Sequence, residues 1–404
     1  MEDNTLIIGA GVVGSVTAHK CAQNNDVLGN ICIASRTLDK CEKLIRSIHK
    51  KGSLKTKSKS LMARQIDAQN ISAVAQLIKE TRSSIVINVG SPHWHLSIME
   101  ACLETNAHYI DTAVHEESGA INEPYPWYQN YEWTKREKFK ERGLTAVLSA
   151  GFDPGVVNAY CRYAVENFDQ IESIDILDIN AGNHGKYFAT NFDPATNLHE
   201  LMEEVGYWED NVWKTCAPHS KSALYDLPVV GEQRLYLTGH DELHSLSLNI
   251  SAKNIRFWMG FNDHYINCFN VLNNVGFLNN QPVTTVDGVT VTPLSVVKAC
   301  LPDPTSLAEN YTGYTCIGNL VKGEKNGEKK ELFIYNICDH AACFEEVEAH
   351  AISYTAGTPP VAAAILVANG EWNVGKMVTV EELESQPFID LLGDMGLPTE
   401  IKLY

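Results

Sequence analysis

TLIIGAGVVGSVTAHKCAQ, residues 5–23, joins a short apolar run to a Gly-x-Gly-x-x-Gly pattern and then to a longer stretch rich in small and apolar residues. The apolar run predicts a buried strand over residues 5–8, and the stretch after the second glycine predicts a helix over residues 12–23. A strand, a glycine turn and a helix in this order are typical of a dinucleotide-binding βαβ unit.

Each glycine of the turn has a separate physical role. Gly9 permits the tight turn, Gly11 lets the backbone approach a pyrophosphate, and Gly14 lets the helix lie close to the strand. Free N–H groups at Val12 and Val13, together with the positive end of the helix, would hold the phosphate charge. The alternative is a glycine-rich turn that binds nothing.

The second strand indicates which nucleotide binds. ICIASRTLDKC (31–41) has Ser35 and Arg36 where NAD sites commonly carry an acidic residue. A carboxylate there would repel a 2′-phosphate, whereas a hydroxyl and a guanidinium can bind one. We therefore expect NADP(H) rather than NAD(H), with an ordinary exposed loop arginine as the alternative.

Strands alternate with helices of 10–15 residues throughout the first part of the chain, residues 1–155. This order predicts an α/β domain with a doubly wound, Rossmann-type parallel sheet. Ligands collect at the carboxyl edge of such sheets, so Asp67, Gly90 and Ser91, which follow the third and fourth strands, are candidate cofactor contacts. For Asp67 the alternative is a carboxylate that caps its own loop.

The second part, residues 156–349, contains longer predicted strands that are rich in aromatic residues and in which apolar and polar residues alternate. An example is QRLYLTGHDELHSLSLNI (233–250). We expect an inserted α+β domain with a mixed or antiparallel sheet that binds substrate and forms a dimer contact. A late helix, opened by proline in GTPPVAAAILVANGEW (357–372), is expected to pack back on the first domain. Helices within 350–404 would complete that domain.

Composition excludes several classes of protein. The net charge is 32 − 50 = −18, which argues against nucleic acid and anionic membranes as partners. Eleven cysteines without a repeated close spacing indicate reduced thiols and a cytoplasmic location. The apolar run 361–368 is far too short to cross a membrane. No pair of Cys or His motifs has a zinc spacing, so no metal is expected.

GLTAVLSAGFDPGVVNAY (143–160) contains a Gly-x-Asp-Pro-Gly signature, residues 151–155, at a strand-to-helix junction. This signature resembles the saccharopine dehydrogenase family. The resemblance implies that the turn closes the nucleotide half beside the nicotinamide, with Gly151, Phe152, Pro154 and Gly155 as cofactor contacts.

More restricted motifs extend the resemblance over nearly the whole chain: HYIDTA, ATNFDP, HDELHSL, IRFWMGF and AISYTAGTPP. They resemble the reductases of polyamine synthesis within that family. The resemblance implies an oxidoreductase that uses NADPH to reduce the imine of L-aspartate 4-semialdehyde and a diamine, either putrescine or 1,3-diaminopropane. It also implies a homodimer.

Imine formation needs a proton transfer when the carbinolamine loses water, so one acid/base group could suffice. Asp153, Asp111 and His115 are candidates because each is expected at the carboxyl edge of the first sheet. Each also has a structural alternative: a turn or cap residue for Asp153, a hydrogen bond to a neighbouring loop for Asp111, and an exposed loop histidine for His115.

Three residues are candidates for substrate binding. Arg256 interrupts an apolar strand and is costly there unless it is paired, so it could grip the substrate carboxylate. An internal salt bridge is the alternative. His240 and Glu242 belong to a polar stretch whose carboxylates could bind a diamine ammonium, or could form a solvated turn.

Two other functions remain open on the sequence. A saccharopine reductase or a homospermidine synthase-like enzyme could use the same scaffold. A substrate that is a second amino acid would need a second residue to bind its carboxylate. A catalytically inactive NADP-binding sensor would keep the glycine turn without needing a substrate pocket.

Overall fold

The computed structural model describes residues 4–116 and 126–404. Two β-sheets organise these residues, and helices pack against both. The domain limits predicted at 155/156 and 349/350 stay a prediction.

The first sheet has seven parallel strands in the order β3-β2-β1-β4-β5-β6-β17. The order reverses between β1 and β4, which is the switch point at which Rossmann folds bind dinucleotides. Its strands are β1 (Asn4–Ile8), β2 (Ile31–Ser35), β3 (Leu61–Gln65), β4 (Ser83–Asn88), β5 (His108–Asp111), β6 (Ala146–Leu148) and β17 (Met377–Thr379).

The helices of the first part lie between these strands. The predicted α/β class and the Rossmann-type sheet are confirmed, and the first helix has the limits expected from the glycine pattern. These helices are α1 (Val12–Gln23), α2 (Asn25–Leu28), α3 (Leu38–Lys51), α4 (Ile71–Thr81), α5 (His95–Thr105), α6 (Arg136–Glu141) and α7 (Val156–Asn167).

The second sheet is mixed, as predicted, because β12 and β7 are parallel while its other pairs are antiparallel. Its main order is β10-β11-β12-β7-β15-β16-β18, with β8 joined to β12 and β9. Its strands are β7 (Gln170–Asn180), β8 (Val205–Glu209), β9 (Val212–Cys216), β10 (Ser222–Leu227), β11 (Gly231–Thr238), β12 (Ala252–Gly260), β15 (Tyr314–Lys325), β16 (Glu328–Asp339) and β18 (Glu400–Leu403).

A small hairpin and the later helices complete the described chain. The hairpin is β13 (Val283–Thr284) with β14 (Thr290–Val291). The helices are α8 (Pro194–Glu200), α9 (Leu243–Asn249), α10 (Asp263–Asn274), α11 (Pro293–Cys300), α12 (His340–Val347), α13 (Ala351–Gly357), α14 (Pro359–Ala368) and α15 (Ser385–Asp394). Short 3₁₀ turns are Pro92–Trp94, Trp127–Gln129, Glu132–Lys135, Pro304–Asn310 and Val380–Glu382.

The strand expected over residues 233–250 is wrong in its second half, because β11 ends at Thr238 and α9 follows. Leu243, Leu246 and Ile250 are buried, whereas Leu248 is 50% exposed. Residues 242–247 are all buried, so burial does not alternate from one residue to the next as it does along a strand with one buried face. The alternating residues Ser-Leu-Ser-Leu, 245–248, have the two-residue period that is typical of a strand.

The end of the chain returns to both sheets. Helix α14 contacts α1, α2, β4 and β5, so it packs on the first sheet as predicted. Strand β17 extends that sheet, whereas β18 is an edge strand of the second sheet.

Residues Ala351–Ala368 form the one helical stretch in the described ranges that is long and apolar enough to cross a bilayer. This stretch is 83% buried inside the protein. Core packing accounts for its composition.

Candidate active site

The glycine turn after β1 has the shape that a dinucleotide needs. Gly9 has a φ of +123°, and a Cβ there would lie 2.6 Å from the carbonyl oxygen of Val89. A Cβ at Gly14 would overlap the carbonyl of Gly9, whereas one at Gly11 would meet nothing within 4 Å. Open space at Gly11, beside the N-terminus of α1, is where the backbone can approach a phosphate.

The side chains after β2 face the same edge of the sheet. The Arg36 guanidinium lies 5.0 Å from the centre of the Trp94 ring, a cation–π contact. Ser35 Oγ donates a hydrogen bond to the Thr37 carbonyl at 3.0 Å and accepts one from the Thr37 N–H at 3.2 Å. A guanidinium and an aromatic face, with no acid in place of Ser35, fit the 2′-phosphate and adenine of NADP(H).

The other predicted cofactor contacts lie along this edge. Asp67 is exposed, and its Oδ1 accepts a hydrogen bond from the Gln69 N–H at 3.1 Å, so it also caps its own loop. The Gly90 N–H donates to Asn88 Oδ1 at 3.1 Å, and Ser91 follows directly. Contacts of these residues with the cofactor stay a prediction.

The turn of residues 151–155 is closely packed. Gly151 and Gly155 are bridged, and a Cβ at Gly155, whose φ is +136°, would overlap Gly151. The Gly155 N–H donates to Asn158 Oδ1 at 2.9 Å, while Phe152 and Pro154 are buried. The turn therefore holds Asp153 firmly at the carboxyl edge of the first sheet.

Asp153 belongs to a cluster of charged groups contributed by both sheets. Asp178 on β7 is close enough for its charge to affect the pKa of Asp153. His240 Nδ1 lies 2.5 Å from Glu242 Oε2, and the His240 ring stacks on Phe257 with centroids 3.9 Å apart. The structure thus brings predicted catalytic and substrate-binding residues together.

Burial and mutual repulsion perturb these groups. Burial and the Asp178 charge raise the pKa of Asp153 well above its usual range. Burial also raises the pKa of Asp178 to about 6. For His240, burial opposes protonation, but the Glu242 carboxylate outweighs it and raises the pKa well above its ordinary value. At neutral pH we therefore assign one proton to the Asp153–Asp178 pair and one positive charge to His240.

Glu242 adds a buried carboxylate to the cluster. Its side chain is fully buried, and its Oε1 has no hydrogen-bond partner among the residues that the structure describes. An unsatisfied buried carboxylate oxygen is costly, so this oxygen is available to a donor that enters the site.

Asp111, the second catalytic candidate, lies in a separate and completely enclosed cluster. Its Oδ1 accepts a hydrogen bond from the Ser149 N–H at 2.6 Å, and its Oδ2 lies 3.4 Å from His95 Nδ1. Glu132 Oε1 lies 3.7 Å from the same nitrogen and accepts the His115 N–H at 2.5 Å. His115, the third candidate, is buried beside this cluster.

Burial raises the pKa values of Asp111 and Glu132 to about 7 each, and it lowers the pKa of His95. The three side chains offer ligand atoms within 4.8 Å of one another. The absence of a metal stays a prediction, as do the catalytic roles of Asp111 and His115.

Arg256 forms an internal salt bridge, which was the alternative to a role in substrate binding. Its Nε and Nη2 donate to the two carboxylate oxygens of Asp175 at 2.7 and 3.1 Å, and its Nη1 lies 3.4 Å from Glu209 Oε1. Trp258 Nε1 donates to the same Asp175 carboxylate at 2.8 Å. The Arg256 guanidinium is paired with two carboxylates of the protein, so this geometry does not support its binding to the substrate carboxylate.

Two family models cover almost all of the chain. The NADP-binding domain of saccharopine dehydrogenase matches residues 5–147, and the C-terminal domain of saccharopine dehydrogenase matches residues 151–397. The chain belongs to the saccharopine dehydrogenase family. It is an NAD(P)-dependent oxidoreductase with an NADP(H)-binding domain, and the predictions of family, enzyme class and cofactor are confirmed.

Three curated relatives of this family match nearly end to end. The carboxynorspermidine synthases of Vibrio alginolyticus and Vibrio cholerae are each 48% identical over 98% of this chain and 96% of their own length. The carboxyaminopropylagmatine dehydrogenase of a Synechocystis species is 43% identical over 97% of this chain and 96% of its own length. These relatives indicate that this chain is a saccharopine dehydrogenase-family enzyme of polyamine biosynthesis.

A solved structure supports the fold. The L-Glu-forming saccharopine dehydrogenase of Saccharomyces cerevisiae superposes with a TM-score of 0.71, and the match covers 100% of both chains. Its sequence identity is 14%, so this likeness shows the fold alone.

Several side chains of the site were missed at the level of sequence. Trp94, Glu132 and Asp178 acquire their places only through tertiary contacts. Asp178 did leave a signal, because a carboxylate within the apolar strand ESIDILDINAGN needs a partner for the same reason that Arg256 does. For Glu132 we find no such signal.

Proposed function

We propose that this chain reduces, with NADPH, the imine formed from L-aspartate 4-semialdehyde and a diamine, yielding a carboxylated polyamine. NADPH, when bound, supplies the hydride. The names of the two Vibrio relatives and the acidic cluster around Asp153 support the same substrate class.

The observation that carries the proposal is the excess of carboxyls where the two sheets meet. Within the described residues, the charge of His240 acts on Asp153 and Asp178, and His240 already pairs with Glu242. Asp241 lies beside them and accepts the Val114 N–H at 2.9 Å. A cationic amine would relieve the repulsion among these carboxyls, whereas a second anionic amino acid would add to it.

The rest of the site would position the reactants. The glycine turn and the residue 151–155 turn would place the nicotinamide near Asp153, and alignment of the C=N bond with the nicotinamide would supply much of the rate. Arg256 is paired with Asp175 and Glu209 and has no part in this arrangement of the reactants.

The test is NADPH oxidation by the purified protein with aspartate semialdehyde and one diamine at a time. We expect turnover only when both substrates are present, and a product whose mass equals that of the two substrates less water plus two hydrogens. Glutamate with aminoadipate semialdehyde is the comparison for a saccharopine reductase. Tight NADPH binding without turnover on any pair would favour the sensor.

Agmatine is a second candidate for the amine, because the name of the Synechocystis relative contains it. Agmatine carries a guanidinium in place of the distal ammonium of a diamine. A carboxyl cluster accepts either cation, so the same assay should include agmatine. The amine with the highest kcat/KM identifies the substrate.

A cytoplasmic location and a homodimer complete the proposal. Edge strand β18 bears exposed apolar side chains, with Ile401 46% and Leu403 68% exposed. An open edge of this kind is a suitable contact for a second copy of the sheet.

A further inference from the structure

A histidine and a buried glutamate form a close pair in the segment between β11 and α9. His240 Nδ1 lies 2.5 Å from Glu242 Oε2. The His240 side chain is 13% exposed, whereas that of Glu242 is completely buried. The ring is therefore the exposed part of this pair. Because Nδ1 faces Glu242, Nε2 on the opposite side of the ring is the nitrogen that can reach a substrate.

Two contacts fix the orientation of the His240 ring. One face of the ring stacks on Phe257 of β12, with centroids 3.9 Å apart and planes 9° apart. The Nδ1–H donates to Glu242 Oε2 at one edge. A ring held at a face and at an edge has little freedom to rotate, so Nε2 keeps one direction. A general acid needs such a fixed donor within reach of the group that it protonates.

Hydrogen bonds attach the segment that carries this pair to the first sheet. Asp241 accepts the Val114 N–H at 2.9 Å, just after β5. Ser245 Oγ accepts a hydrogen bond from Asn158 Nδ2 at 3.5 Å, and Asn158 Oδ1 accepts the Gly155 N–H at 2.9 Å. The segment is therefore tied to two loops at the carboxyl edge of the first sheet, the edge where Rossmann folds bind their ligands.

We propose that His240 is the general acid of imine formation and that Glu242 is the positioning residue that orients its ring. This inference rests on the proposed function and deepens it, because it names the group that removes water from the carbinolamine. Asp111 and His115 are less suited to this role, since both are buried and the Ser149 N–H holds one oxygen of Asp111.

The charges around the ring favour its protonated form. Burial opposes protonation of His240, but nearby carboxylates outweigh burial and raise its pKa well above the ordinary value. The acidic groups that interact with this charge are Glu242, Asp153, Asp241 and Asp178. His244, on the following helix, is neutral because burial lowers its pKa to about 3. His240 is therefore available as an imidazolium, the form that can donate a proton.

The proton balance closes over one turnover. The free amine attacks the aldehyde carbon, and its surplus proton moves to the former carbonyl oxygen to give a neutral carbinolamine. The His240 imidazolium donates its Nε2 proton to the hydroxyl as the C–O bond breaks. Water leaves, and an iminium ion and a neutral imidazole remain. The iminium ion is then ready for reduction, and the imidazole takes a proton from the ammonium of the next amine, which frees that amine to attack.

His240→Asn tests the acid, because an asparagine amide can still donate to Glu242 but has no acidic proton to transfer. With aldehyde and amine added separately at neutral pH, we expect kcat/KM to fall by ~100-fold or more, the usual contribution of general acid–base catalysis. With imine pre-equilibrated at alkaline pH and reduced in a single turnover, we expect little loss. His49→Asn, the same substitution at an exposed histidine of α3, is the matched control and should behave as wild type.

Glu242→Gln tests the positioning residue, because it keeps an oxygen that can accept from Nδ1 and removes the charge. The rate with separate substrates requires the imidazolium, so it declines as the pH rises through the pKa of His240. Loss of the Glu242 charge lowers this pKa. We therefore expect the decline to move to lower pH in the variant, whereas a purely structural role would lower the rate equally at every pH.

The outcomes separate this inference from the proposed function. Equal losses in both assays of His240→Asn would indicate a structural role, and no loss in either would remove His240 from the mechanism. An unmoved pH profile in Glu242→Gln would remove the role of Glu242. Each of these results overturns the inference alone, whereas a wild-type protein without turnover on any semialdehyde and amine would overturn the proposed function as well.

A measurement on the wild-type protein covers the case in which a variant does not fold. If Nε2 transfers a proton as the carbinolamine loses water, the solvent deuterium isotope effect on kcat/KM should be larger with aldehyde and amine than with pre-equilibrated imine. Equal isotope effects would overturn the inference.

Discussion

Arg36 lies where the nucleotide is chosen, with its guanidinium over Trp94 and no carboxylate in place of Ser35. We predict that Arg36→Ala lowers kcat/KM for NADPH by ~10–100-fold, since hydrogen bonds to a charged group contribute about 1.5–3 kcal/mol. The value for NADH should change little, because NADH has no 2′-phosphate. Steady-state kinetics with both cofactors measure the effect.

Arg46→Ala is the control for this prediction, because Arg46 is an exposed residue of α3 with ion pairs to Asp39 and Glu42. It should leave the cofactor preference unchanged. A wild-type preference for NADH that Arg36→Ala does not alter would refute the assignment.

Arg256 shows what residue-level reasoning could and could not give. An arginine within an apolar strand must be paired, and the sequence predicted that much. The partner is Asp175, which lies 81 positions earlier and is the direct neighbour of Arg256 across the parallel strands β12 and β7. Only the strand register distinguishes this internal ion pair from a grip on substrate.

Helix α9 gives a prediction at the level of one element. Leu246 is fully buried and Leu248 is 50% exposed. We expect Leu246→Ala to lower the free energy of unfolding by ~2–5 kcal/mol, the usual cost of a buried leucine, and Leu248→Ala to change it by about 0.5 kcal/mol or less. Urea denaturation of both variants measures the difference.

The two substitutions are matched in chemistry and in helix propensity, so burial is what differs. In a strand, residues two positions apart lie on the same face, and both substitutions would then cost similar amounts. Similar losses would therefore contradict the helix.

Elements near the N-terminus were predicted more accurately than those of the second sheet. Helix α1 begins at Val12 and ends at Gln23 as expected. The apolar strand and the glycine turn directly precede it in the sequence, so local patterns were enough to predict it. In the second sheet, β7 pairs with β12 and with β15. These pairings join segments that are distant along the chain, and local patterns do not specify them.

The stability of the whole molecule should depend on the buried carboxyl cluster. Burial raises the pKa of Asp111 from 3.8 to about 7. Between these values the folded state keeps a proton that the unfolded state releases, so this contribution to stability is present at low pH and is lost as the pH rises towards 7. Each pKa unit corresponds to ~1.4 kcal/mol.

We predict that Asp111→Asn changes this dependence. The difference in unfolding free energy between variant and wild type should move in favour of the variant by up to ~4 kcal/mol as the pH rises from about 4 to 7. Urea denaturation across this range measures it. Exposed Glu141→Gln is the control and should give no such trend. A difference that stays constant with pH would contradict the prediction.

At the scale of the whole molecule, the sequence by itself determined the nucleotide half, the family and the use of NADP(H). These rest on residues that act within one turn, such as Gly9, Gly11 and the Ser35–Arg36 pair, so their order in the chain is enough to recognise them.

The tertiary structure alone decided which charges meet. It paired Arg256 with Asp175, enclosed Asp111 with Glu132, and brought Asp178 of the second sheet close enough for its charge to affect Asp153. The physical reason is that an electrostatic partner is defined by distance and burial. Strand register and sheet packing set both, and separation along the chain does not reveal them.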